Sequence, residues 1–334
     1  MNRQRLFSVA RVVIAAVVLA AVVYAVVRNW ADVSVHLSQI SAGTFALSTL
    51  AAAVGTWLTM LGWRVVLADL GSDLHLAPAS GVFFVGQLGK YLPGSVWSVL
   101  VQADMAGRLG VPRRRTAVAG FLAIGFALLA GGLIGLPAAS LLLGGGSAGS
   151  GGSGGFDWWV LLAVPVIVVL CVPRLLNAII ASCLRLLRRA PLEHGLSGPA
   201  VVRTVVVMVL AWLAFGVHTL LLARAVAGDA LPHPGLTVAA ISGYALSVSL
   251  GMLTVVLPAG LGAREGLLTL VLATALPTPA AAAVAITSRF IVTIVDVVAA
   301  LAGWLYARSH HLVADRRVAR GTGGGGGVSD DVSA

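Results

Sequence analysis

A chain of 334 residues that is 59% hydrophobic and only 10% charged does not have the composition of a soluble globule. Its formal net charge of +10 would suit nucleic acid, but the placement of the charges excludes that partner. The basic residues gather at the ends of apolar segments: Arg3, Arg5 and Arg11; Arg108 with Arg113, Arg114 and Arg115; Arg185, Arg188 and Arg189; Arg316, Arg317 and Arg320. That is the positive-inside pattern of a polytopic helical membrane protein. Such clusters also attract anionic lipid at about 1 kcal/mol per charge. The two cysteines, Cys171 and Cys183, lie in or beside apolar segments, so neither a disulfide framework nor a zinc site is expected.

In chain order, residues 9–27 form the first predicted span, ending at Arg28-Asn29-Trp30 where tryptophan suits the interface. The basic start of this segment resembles a signal peptide, but no small-residue cleavage site follows, so it reads as an uncleaved helix. The near-neutral loop 28–43 is external, and a second span over about 44–67 returns the chain to the cytoplasm near Arg64 and Asp69. The next apolar region, 78–107, is interrupted by Gly86-Gln87-Leu88-Gly89-Lys90-Tyr91-Leu92-Pro93-Gly94-Ser95-Val96-Trp97. Glycine adds backbone freedom and proline removes a donor, while a lysine at bilayer depth costs at least ~2.5 kcal/mol without a partner or water. Each half of the region is shorter than the ~20 residues a span requires. With basic sequence on both sides of it, the region is predicted to be a re-entrant hairpin that enters and leaves on the cytoplasmic side.

Residues 116–142 cross outward, with Leu136-Pro137 a candidate kink, and 144–155 is an external coil of Gly and Ser. From Trp158 the chain returns inward. Residues 175–189 then read as an amphipathic helix in the inner interface. Spans follow over 201–224 and 280–306. Between them 236–257 runs into Leu257-Pro258-Ala259-Gly260-Leu261-Gly262-Ala263-Arg264-Glu265-Gly266. This second break either forms a hairpin like the first or leaves 236–257 as a full span with 263–277 as a short tilted helix. The Gly-rich, acidic end of the chain is predicted to be disordered, and both termini to be cytoplasmic.

The breaks at Pro93-Gly94 and at Pro258, Gly260 and Gly262 occupy matching places, each followed by a proline (Pro112, Pro279) and an Ala-rich span. The predicted fold class is therefore an all-α polytopic membrane protein of two inverted repeats. It has six full spans and two broken or re-entrant elements, about eight hydrophobic segments in all. The first repeat covers 1–142, the linker 143–156, the second repeat 157–307 and the tail 308–334. Paired interruptions of this kind point to a binding site at the bilayer midplane.

These motifs resemble the lysylphosphatidylglycerol synthase transmembrane, or flippase-like, family. Its first-half break corresponds to Leu92-Pro93-Gly94 and its P-x-G-x-G-x-x-E motif to the run from Pro258 to Glu265, with Arg289 in the place of its late arginine. Ser95-Val96-Trp97 departs from the Gly-Glu/Asp frequent there. The soluble aminoacyl-transferase domain of the large members does not fit in the residues after the last span, so the synthase activity is not expected. The resemblance implies handling of an anionic, aminoacylated or polyprenyl-linked membrane lipid. Two modes are open: translocating it, or presenting a lipid-linked precursor to a separate envelope-synthesis enzyme.

The candidate substrate-binding residues are Lys90, Arg264, Glu265, Arg289, Gln87 and Asp296. Lys90 has two readings, a point-charge contact to a phosphate or a snorkelling side chain. Arg264 and Glu265 open a half-helix whose N-terminus can face an anion, and the same pair can serve as a structural ion pair. Arg289 and Asp296 are seven residues apart and share a helix face. Gln87 can reach a headgroup or satisfy a freed carbonyl, and His218 reads as a packed histidine. No phosphate loop, His-Glu-x-x-His, Cys/His cluster or G-x-S-x-G elbow occurs, so neither enzyme activity nor a metal or cofactor is expected.

Overall fold

In the computed structural model the described residues are 30–91, 96–143, 171–228 apart from 187 and 190, 234–253, 260 and 262–309, with the single positions 165 and 169. In hydrocarbon every backbone N–H and C=O must be satisfied within the segment, and the described residues are mostly helical, without strands among them. The helices are α1 (Trp30–Ser38), α2 (Ala42–Asp69), α3 (Leu76–Gln87), α4 (Trp97–Arg108), α5 (Arg113–Leu143), α6 (Pro173–Leu186), α7 (Gly198–Ala227), α8 (Pro234–Leu253), α9 (Ala263–Leu272) and α10 (Thr278–Ser309). A tighter turn, Leu88–Tyr91, continues α3. Ser41 caps α2 by accepting from the Thr44 N–H at 3.1 Å, and Ser197 caps α7 in the same way.

Among the described residues, five helices are long and apolar enough to cross a membrane: Ala42–Asp69, Arg113–Leu143, Gly198–Ala227, Gly235–Leu253 and Thr278–Tyr306. The chain is thus an all-α, multi-pass membrane protein. Helices α3 and α4 have 12 residues each. At 1.5 Å per residue each spans about 18 Å, well short of a ~30 Å hydrocarbon core. Their far ends meet: Arg115, at the start of α5, donates to the Gly71 carbonyl at 2.6 Å and to the Ser72 hydroxyl at 2.7 Å, just before α3. The chain from α3 to α4 therefore goes out and comes back to one level, as a re-entrant hairpin does. The same guanidinium bonds Glu193 at 3.0 Å, and Asp69 accepts from the Ser197 backbone and hydroxyl, so the loop before α7 joins this layer.

One expectation needs revision. The predicted loop 28–43 is mostly helix, because residues 30–38 carry no glycine or proline to stop α1, which packs on α10. The candidate kink, Pro137, lies within the continuous run of α5. Of the two alternatives for the second break, the structure fits the full span followed by a short helix, since α8 alone has spanning length whereas α9 has 10 residues. The predicted first span, the 144–155 linker, most of the segment from Trp158, the tail, and the break residues Pro93, Gly94 and Pro258 lie outside the described residues.

The most extensive helix pairing is α2 against α7, where Gly55 lies under the Phe215 ring and Gly62 under Met208. Around it the contacts occur in matched sets. Helix α5 packs on α8 as α10 packs on α3, α4 packs on α5 as α9 packs on α10, and α2 meets α5 as α7 meets α10. Gly81 and Gly303 bring α3 and α10 together backbone to backbone, a Cβ on Gly303 falling 3.1 Å from the Gly81 Cα. Leu50, Phe121, Leu210 and Phe290 are exposed, which in this chain means turned to lipid rather than stranded in water.

Gly131 of α5 sits where α7 and α8 converge, and a Cβ there would run into the Trp212 ring and the Ser249 hydroxyl. Gly132, next to it, has open space. Gly131→Ala is expected to destabilise the protein by about 1–3 kcal/mol through overpacking against a rigid ring. Gly132→Ala is expected to be neutral, and thermal unfolding of the two variants in detergent makes the comparison.

Candidate functional site

The hairpin tip is built by Gly89. It packs so tightly on the start of α4 that a Cβ would lie 2.5 Å from the Ser98 nitrogen, and no larger residue fits without moving backbone. The two residues after it face α10. Lys90 Nζ lies 2.7 Å from Asp296 Oδ2, and the Tyr91 hydroxyl donates to the same oxygen at 2.7 Å. The Asp296 side chain is 2% exposed while that of Lys90 is 34% exposed, so the carboxylate is deep and the ammonium reaches it from a wetter side. One half of the chain thus supplies the cation and the other its counter-charge.

Two turns earlier on α10, Arg289 continues the chain of charges. Its guanidinium stands over the Tyr91 ring, 5.8 Å from the centroid, and its Nε is 3.5 Å from Glu265 Oε1. That contact is longer than the ~2.7–2.9 Å of a charge-assisted hydrogen bond, and Oε1 has no hydrogen-bond partner among the described residues. The pairing is therefore an electrostatic contact that leaves the oxygen open to a donor. The other Glu265 oxygen accepts from the Gly262 N–H at 2.7 Å. Gly262, at φ 81°, takes the left-handed conformation that turns the chain into α9.

The Glu265 carboxylate thus engages the N–H of the residue before α9, while no side-chain cap accepts from the N–H groups of its first turn. Arg264, 8% exposed, donates from one terminal nitrogen to the Tyr244 hydroxyl at 2.8 Å, and its guanidinium lies 4.9 Å from that ring's centroid. Among the described residues no carboxylate reaches Arg264 within ion-pair distance, and its remaining nitrogens make no hydrogen bond.

Five of the six candidate residues therefore stand in one succession from Lys90 and Asp296 through Arg289 and Glu265 to Arg264. Gln87 ends α3 one turn before Lys90, half-buried, and makes no side-chain hydrogen bond among the described residues. His218 is a packed histidine: it is fully buried, with Nδ1 facing the Ser48 hydroxyl and carbonyl and Nε2 at 2.9 Å from the Ser288 hydroxyl. It ties α7 to α2 and α10. Sequence reasoning missed the two tyrosines. Tyr91 had a signal, since it adjoins Lys90 in a break; Tyr244, within an apolar helix, had only the rarity of tyrosine in this chain, 4 in all.

Helices α2, α3 and α10 leave an apolar groove of about 440 Å³ between Ala53, Trp57, Phe84 and Val298. Along α10 the groove is lined from Ile294 and Val295 to Tyr306, and none of the charged residues of the cluster lines it. No three His, Cys, Asp or Glu side chains come together among the described residues. The family model described as the lysylphosphatidylglycerol synthase TM region matches residues 9–300 of the chain. No curated protein matches it.

Removing one member of a buried pair strands the other. Lys90→Ala leaves the Asp296 carboxylate with only the Tyr91 hydroxyl, and an expected loss of up to about 3 kcal/mol follows. Asp296→Asn is expected to cost less, because the Lys90 ammonium can turn to water. The double variant should be more stable than the sum of the singles implies, and a thermal double-mutant cycle measures that coupling.

Proposed function

Because the chain belongs to the lysylphosphatidylglycerol synthase TM family, we propose that it is a flippase-like protein that binds and translocates an anionic, aminoacylated or polyprenyl-linked membrane lipid. The observation that carries this reading is the ionic cluster itself. Three cations, Lys90, Arg264 and Arg289, sit among apolar helices at the junction of the two halves, and charged groups at such depth are costly unless they serve a ligand or a pathway. The tight turn at Lys90 and the turn at Gly262 interrupt helices, and irregular backbone at membrane depth is tolerated only within protein or beside a cavity. The apolar groove on α2, α3 and α10 is a place of the kind a lipid tail occupies.

The matched contacts of the two halves support the inverted-repeat reading, in which each half rocks against the other around the cluster. The Lys90–Asp296 pair is then the contact that such a motion opens. In this reading the protein moves its substrate without covalent chemistry, and both termini face the cytoplasm of a plasma membrane.

Liposomes reconstituted with the purified protein and a fluorescent phosphatidylglycerol are expected to show scrambling that Arg264→Ala and Glu265→Gln each reduce at least about tenfold, a change of ~1.4 kcal/mol. Activity untouched by both substitutions removes the cluster from the path. Binding without scrambling favours presentation of the lipid to an envelope-synthesis enzyme. Topology has its own check. In a background lacking Cys171 and Cys183, cysteines at positions 72 and 110 are expected to be labelled from the cytoplasmic side and those at 150 and 230 from outside.

A further inference from the structure

A second cavity, of about 260 Å³, opens towards the base of the hairpin, where its limbs α3 and α4 meet α10. Val82 and Val85 of α3, Val101 and Met105 of α4 and Trp304 of α10 give it apolar walls. Its rim is charged. Asp104 and Arg108 line it, and the Asp104 carboxylate is shared between two guanidiniums, Arg108 at 3.0 Å and Arg113 at 2.8 Å. One carboxylate against two guanidiniums leaves positive charge in excess. The Arg108 side chain is 38% exposed and that of Arg113 68%, so a further anion can reach both.

The chain carries a segment of matching chemistry. Helix α10 ends at Ser309, five residues past Trp304, which is about 7.5 Å further along its axis. Beyond it, outside the described residues, the sequence brings five consecutive glycines, 323–327, and then Val328-Ser329-Asp330-Asp331-Val332. Two adjacent carboxylates thus stand between two valines. A Gly-rich coil of about 20 residues reaches ~25 Å, so Asp330 and Asp331 come within range of the cavity from Ser309.

We propose that residues 328–332 dock in this cavity, with Asp330 and Asp331 at the Arg108 and Arg113 guanidiniums and valine against the apolar walls. Ion pairs between exposed groups are individually weak and screened by salt. A tethered segment needs little affinity, however, because a short flexible linker holds it at an effective concentration in the millimolar range. Seated there, the segment touches both limbs of the hairpin and the last long helix at once, and it opposes their separation.

The test reads the cavity rather than the tail. Met105→Cys in the full-length protein, in maltoside micelles, is labelled with N-ethylmaleimide, and mass spectrometry follows the rate at each cysteine. Cys183, exposed on α6, is the internal reference. The rate at position 105 is expected to rise at least about threefold when Asp330→Asn and Asp331→Asn are combined, and equally when residues 328–334 are removed. Salt of about 1 M is expected to have the same effect on the unaltered tail. Val101→Cys carries the test if Met105→Cys does not fold. Equal rates with intact and neutralised tails overturn the proposal, and pairing of the two aspartates with the tail's own Arg316, Arg317 and Arg320 gives that result. A rise on removal without one on neutralisation overturns it too, because the charges are then not what is recognised. In phosphatidylglycerol nanodiscs, protection that persists without residues 328–334 assigns the cavity to lipid and overturns it as well.

Discussion

Everything in this structure turns on how a membrane protein keeps ionisable groups inside an apolar bundle. Hydrocarbon offers no solvation, so each charge must meet an opposite charge, a hydroxyl or a route to water. The solution found here is a pair whose members come from different halves of the chain. Lys90 stands on the tight turn after a helix of 12 residues, and Asp296 on the last long apolar helix. Tyr91 shares the same carboxylate oxygen and offers its ring to Arg289, so a single turn of chain serves two points on α10. The hairpin tip is held in place by charge as much as by packing.

The two halves use similar helices for different tasks. Several of their helix contacts come in matched sets, yet the second half carries most of the ionic groups and the first half mostly supplies Lys90 and Tyr91. The asymmetry extends to the breaks: α3 stops after 12 residues and continues in a tight turn, while α8 has the length of a full span before α9 begins. Glu265 engages the N–H of the residue before α9 with one oxygen and holds the other toward Arg289, which makes one carboxylate both a local tie and part of the ionic succession.

Much of this was legible in the residues. The long spans follow from apolar runs bounded by arginine, and the hairpin from two limbs too short to cross between two basic flanks. The Arg115 bonds to Gly71 and Ser72 express that same constraint in space. The shared face of Arg289 and Asp296 follows from helical spacing alone. Less was legible where the physics is not local. No spacing rule links Lys90 to Asp296, because their contact depends on how α3 packs along α10 through Gly81 and Gly303. The bond between Glu265 and the Gly262 N–H was open to a local rule and was missed because Glu265 was weighed as a partner for cations. Tyr244 lay hidden because a tyrosine in an apolar helix looks like packing until its hydroxyl is seen to hold a guanidinium.

The order in which the chain is made gives the Lys90–Asp296 contact a history. Tyr91 and Asp296 are 205 positions apart. At ribosomal speeds of about 5–20 residues per second, roughly 10–40 s separate the emergence of the ammonium from that of its carboxylate. During that interval Lys90 has no Asp296 to pair with, and water is the solvent that serves a lone ammonium. The contact is therefore a late one, made only after the helix that carries its carboxylate has been synthesised.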